Sequence, residues 1–144
     1  MKTKSRTSLV LMELIITILF FSLCSAVCVQ LFVAAHIKSV EAKELNCAVS
    51  KAQGFAEVMR GTDGTYMSII SEYPEAVGDD ETYFEIYYDE NFNETNDIKN
   101  ATYVGDVSLE KVSKIQNMEI NIVRLTDYKK IYTLTATKYI REQL

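Results

Sequence analysis

Glu13 is a carboxylate set between Leu9-Val10-Leu11-Met12 and Leu14-Ile15-Ile16, and it is the only charged residue from Thr7 to Ile37. An ionised carboxylate just inside a bilayer costs about 2.5 kcal/mol or more unless it is paired or reaches water. Glu13 therefore calls for a cation partner or for the headgroup level, where the first turn of a helix also favours an anion. Other candidate groups offer less. The sole histidine, His36, has no identifiable nucleophile or acid partner, so no enzymatic role, metal or cofactor is expected. Cys24 and Cys28 are i, i+4 neighbours on a helix, and Cys47 lies 19 residues further on, about 28 Å along a helix, too far for an intrachain disulfide. Asp89, Asn91, Asn93, Thr95 and Asp97 alternate oxygen groups as a calcium loop does. Glu94 replaces the turn glycine and Asn100 the bidentate glutamate, which argues against calcium. Asn93-Glu94-Thr95 and Asn100-Ala101-Thr102 have the form of glycosylation sequons.

The element that must carry Glu13 is an apolar run. Leu14 to Ala35 is 22 residues with no charge, and as a helix it spans about 33 Å against a hydrocarbon core of roughly 30 Å. Lys2, Lys4 and Arg6 precede it, whereas residues 37–144 hold 12 Lys and Arg against 19 Asp and Glu. The positive-inside rule puts the short amino terminus in the cytoplasm and the remainder outside, a single-pass cell-membrane topology. The whole chain of 144 residues is acidic, with a net charge of -5, so nucleic acid is not an expected partner. Two readings compete with the anchored one. Val33-Ala34-Ala35 resembles a signal-peptidase site and would release a secreted domain after Ala35, although the run exceeds the roughly 7 to 15 residues of an ordinary signal h-region. An uncut chain would be a membrane-anchored binding or sensing domain.

Beyond the run the helical period continues through Val40, Leu45, Ala48 with Val49, Ala52, Phe55 with Ala56, and Met59, while Lys38, Glu41, Lys43, Glu44, Lys51 and Glu57 mark the opposite face. Gly61 and Gly64 supply the stop, so one helix is expected from about Leu9 to Arg60. A short helical turn near Tyr66–Glu72 closes at Pro74 and Gly78-Asp79-Asp80. The period then changes to two. Phe84, Ile86 and Tyr88 predict one strand, Met118, Ile120 and Ile122 another, and Leu134 with Ala136 a third; Ala101 to Val104 adds a shorter one, and Thr126-Asp127-Tyr128 turns the last hairpin. The expected fold is α+β: a long amino-terminal helix whose apolar stripe covers a four-stranded antiparallel sheet.

The stretch from Ser8 to Ile16 resembles the leader of type IV pilins and pseudopilins: a short basic peptide, a small residue, four apolar residues, a glutamate, then the membrane helix. The resemblance extends to the plan of a long helix packed on an antiparallel sheet. It implies cleavage by a prepilin peptidase between Ser8 and Leu9, methylation of the new Leu9 amine, and a role for Glu13 in assembly, where it pairs with that amine in a neighbouring subunit. The implied organisation is a cytoplasmic leader over residues 1–8, a transmembrane half over 9–36 and an extracytoplasmic pilin-like domain over 37–144. The implied partners are the peptidase, other pilin or pseudopilin subunits, the inner assembly platform and membrane lipid, in a pilus, type II secretion or DNA-uptake filament. Ser8 stands where the family usually has Gly, Gln30 falls in the region where many major pilins carry Pro, and no cysteine follows Cys47 to close a carboxy-terminal disulfide loop. These departures fit a minor pilin or pseudopilin. Charge is also segregated: between Arg60 and Lys99 there are 11 acids and no base, whereas residues 99–144 carry 8 bases and 5 acids. Such a pattern suits either a solvated acidic face or complementary contacts between successive subunits.

Overall fold

The computed structural model describes residues 3–140, with the backbone alone described for residues 3–6, 79 and 80. Lys2 of the leader lies outside the described residues. The order of elements is α1 (Thr3–Gly61), α2 (Tyr66–Ile70), β1 (Val77–Asp80), β2 (Tyr83–Tyr88), β3 (Tyr103–Val112), β4 (Ile115–Arg124) and β5 (Lys129–Tyr139). The strands form one antiparallel sheet in the order β1-β2-β3-β4-β5. The chain divides into two compact units after Ala42.

In the first unit every side chain from Thr7 to Ala42 is exposed. This part of α1 has neither Pro nor Gly, so nothing in its sequence interrupts the helix. Thr17 and Ser22 return their hydroxyls to the carbonyls of Glu13 and Ile18, both at 2.8 Å, which satisfies them within the helix. This is the helix near the amino terminus that is long and apolar enough to cross a membrane.

The second unit is built on alternation. Phe84, Ile86 and Tyr88, then Val107 and Leu109, then Met118, Ile120 and Ile122, with Ala136 from β5, are buried together. Glu85, Ser108, Glu119, Asn121, Thr133, Thr135 and Thr137 take the intervening positions and are half-buried or exposed. The apolar face is covered by Ala48, Ala52, Phe55, Ala56 and Met59 of α1 and by Ile69 of α2, all buried. The Phe55 ring lies 4.6 Å from that of Tyr73 and 6.1 Å from that of Phe84, centroid to centroid. Gly105 permits this close approach: a Cβ there would stand 3.2 Å from Ile122 Cδ1, 3.4 Å from Tyr88 and 3.6 Å from Phe55.

Three expectations are corrected. The sheet has five strands, because Gly78-Asp79-Asp80 forms part of β1 instead of closing a turn. A Cβ at position 78 would lie 2.6 Å from the Tyr83 carbonyl oxygen, so only glycine lets this edge strand lie against β2. The second strand of the expected four, placed at Ala101 to Val104, is the ten-residue β3, whose inward pattern is interrupted by the side-chain-free Gly105. The buried stripe of α1 begins at Ala48: Val40 and Leu45 are 57% and 43% exposed, and Val49 is half-buried. Leu45 lies seven residues before Ala52 and so on the same helical face, but the inward row of β4 changes after Ile122 to Arg124, which pairs with Glu44.

The end of α1 is held from the far edge of the sheet. Thr62 donates its N–H to Val58 O at 2.9 Å, and the Lys138 ammonium group donates to the carbonyls of Met59 at 3.0 Å and Arg60 at 3.1 Å, and to that of Thr62. A cation on the final carbonyls satisfies acceptors that the helix itself cannot and complements its dipole. The β4–β5 loop runs through residues 125–128 as expected, with Tyr128 in the left-handed region at φ 52°.

Candidate functional site

The residues singled out by the sequence, Ser8, Leu9 and Glu13, form a linear motif on α1. Ser8, Leu9 and Glu13 are all exposed, Leu9 to 64%. At about 1.5 Å per residue, Glu13 stands roughly 6 Å along the axis from Leu9, one helical turn away on the same face. The apolar residues that follow are equally bare, with Phe20 67%, Phe21 72% and Phe32 79% exposed. Such a surface needs lipid or other helices to cover it. The Ser8–Leu9 peptide bond lies inside the helix. Lys4 and Arg6 of the basic leader belong to the same helix, described there by backbone alone.

The other candidates are placed apart. Cys24 and Cys28 are exposed, Cys47 is half-buried, and all three are free thiols. His36 is exposed on α1. In the loop after β2, Asp89 accepts from the N–H groups of Asn91 at 2.8 Å and Asn93 at 2.9 Å and from Asn93 Nδ2 at 3.1 Å. Its carboxylate is spent on shaping the turn, in which Phe92 takes φ 61°. These bonds hold Asp89 below the usual carboxylate range. Among the described residues no cluster of three or more His, Cys, Asp or Glu is arranged to hold a metal ion.

Besides the Lys138 contacts at the end of α1, two polar contacts between α1 and the rest of its unit escaped sequence reasoning, because both join residues assigned to the solvent face to positions far along the chain. Glu44 accepts from the Arg124 guanidinium in a two-pronged pair, through Nε at 2.7 Å and through Nη2. Lys51 sits 5.0 Å from the centre of the Tyr88 ring and 3.9 Å from Glu94. Tyr88 is buried and its hydroxyl has no hydrogen-bond partner among the described residues, and burial drives its pKa well above the ordinary value.

The hydrogen bonds from Arg124 hold Glu44 below its ordinary pKa of 4.5, and those from Ser68 and Thr65 bring Asp63 from 3.8 to about 2. A carboxylate whose pKa is depressed by folding contributes stability that is complete above its unfolded pKa and is lost as pH falls through the folded one. Glu44→Gln is therefore expected to lower stability at neutral pH and to flatten the loss of stability below about pH 4.5. Thermal melts of wild type and variant at pH 7, 4 and 3 measure this, and parallel acid slopes would contradict it.

No family model, curated protein or solved structure matches this chain. What defines it is an α+β architecture, with one long amino-terminal helix and a five-stranded antiparallel sheet.

Proposed function

We propose that this chain is a structural subunit, a minor pilin or pseudopilin, of a type IV pilus, type II secretion or DNA-uptake filament. The observation that carries the reading is Glu13. It is the one charged residue of α1 between Thr7 and Ile37, on a stretch whose apolar side chains are bare, and it lies five residues after a small residue that follows Lys2, Lys4 and Arg6. In this reading a prepilin peptidase cuts between Ser8 and Leu9 and methylates the Leu9 amine. Until then the chain is a single-pass membrane protein with its amino terminus in the cytoplasm and its sheet domain outside. The inner assembly platform then transfers it from lipid to neighbouring pilin helices. Apolar helices in lipid gain little by exchanging one apolar neighbour for another, so a buried charge pair can set their axial register.

Expression with and without a prepilin peptidase, in cells carrying the assembly machinery, tests the proposal. The chain is expected in the sheared filament fraction only when the peptidase is present. Equal recovery without it would overturn the reading.

A further inference from the structure

The loop that joins β2 to β3 passes over Tyr88. Its Phe92 ring lies 6.3 Å from the Tyr88 ring, centroid to centroid, and its Glu94 pairs with Tyr88 through an isolated backbone bridge. Tyr88 is fully buried, and its hydroxyl is the one buried side-chain oxygen or nitrogen without a hydrogen-bond partner among the described residues. A hydroxyl that gives up water without gaining a partner destabilises the state that buries it. Phe92 adds a second cost, because it holds a left-handed backbone at φ 61°, a conformation that bulky side chains rarely adopt. Both costs belong to the closed loop. When the loop lifts, water reaches the hydroxyl and the Phe92 backbone relaxes.

The attachments that oppose lifting are few. Within residues 90–100 only Phe92 is buried, its ring stacked 4.0 Å from that of Tyr103. Thr95 donates its N–H to Tyr87 O at 2.9 Å, and among the described residues this is the only backbone bond tying residues 90–100 to a strand. Glu94 meets Lys51 of α1 at 3.9 Å, with the two side chains 34% and 33% exposed, so the pair is weak. The remaining bonds hold the loop to itself: Asp89 accepts from Asn91 and Asn93, and Asp97 from Asn100. A segment with one buried side chain, solvent-exposed backbone bonds and internal ties opens as a piece, below the free energy of global unfolding.

We propose that residues 90–100 form a strap that lifts from the sheet while the rest of the second unit stays folded. The Phe92 ring is its plug, the Glu94–Lys51 pair its latch, and the Tyr88 hydroxyl the group that works against closure. Lifted, the strap uncovers the ring faces of Tyr88 and Tyr103 that Phe92 occupies. This assignment does not depend on the filament reading.

Amide hydrogen exchange of the full chain in detergent micelles, read by NMR, tests this at Thr95, with Ile120 of the central strand β4 as the core reference. Protection at Thr95 should be at least about tenfold lower than at Ile120, and it should not respond to low urea concentrations that lower protection at Ile120. Tyr88→Phe should raise protection at Thr95 about tenfold, because the closed state no longer buries an unpaired hydroxyl. Phe92→Ala should lower it at least about tenfold by removing the plug. Equal protection and equal urea dependence at the two amides would mean that the strap does not move separately. Lower protection at Thr95 in Tyr88→Phe would mean that the hydroxyl favours closure, and unchanged protection in Phe92→Ala that the ring holds nothing shut. Any of these three results would overturn the proposal.

Discussion

Ala52→Asp is expected to unfold the segment 43–144, whereas Leu45→Asp leaves it folded. Both positions lie on one face of α1, seven residues apart, so a reading by helical period alone treats them alike. Their surroundings differ. Ala52 is fully buried in the cluster that joins Phe55, Phe84, Ile120 and Ile122, while Leu45 is 43% exposed beside the Glu44–Arg124 pair. An uncompensated carboxylate in the core costs about 3–5 kcal/mol, against a total stability of about 5–15 kcal/mol for a domain. The exposed site should cost less than about 1 kcal/mol. Circular dichroism melts of the isolated segment measure both. Wild-type 43–144 should melt cooperatively as a monomer, the first variant should show no transition, and the second should melt within a few degrees of wild type. Equal melts for the two variants would refute the packing described.

Glu13→Ala is expected to abolish entry into filaments while leaving membrane insertion unchanged or slightly improved. Removing the single charge beside the apolar run removes a cost of about 2.5 kcal/mol or more near the bilayer, so nothing in the substitution opposes insertion. On the filament reading proposed above, what disappears is the partner for the Leu9 amine of a neighbouring subunit, an attraction that the low dielectric around it would strengthen and that would fix register between otherwise uniform apolar surfaces. Co-expression of wild type and variant with the assembly machinery, comparing membrane and sheared fractions, measures it. A variant that enters filaments as well as wild type would reduce Glu13 to a helix-end carboxylate at the headgroups.

In the strands, periodicity was informative wherever a side chain was present to display it. Phe84-x-Ile86-x-Tyr88 and Met118-x-Ile120-x-Ile122 point to the core as their alternation predicts. β1 and the length of β3 were hidden because Gly78 and Gly105 hold their places by lacking a side chain, and only the neighbours they admit reveal why. Burial along α1 was not legible at Leu45, because it depends on where the opposite strand changes from Ile122 to Arg124. Ser8, Leu9 and Glu13 stood out because their spacing is local.

The amino terminus of the protein recovered from peptidase-containing cells bears most directly on the account, because each competing function leaves a different first residue. Intact-mass and amino-terminal peptide mass spectrometry should find a chain beginning at Leu9 with a methylated amine. A chain beginning at His36 would mean release of a secreted domain, and an intact Met1 would leave a membrane-anchored domain; either result would contradict the filament subunit proposed.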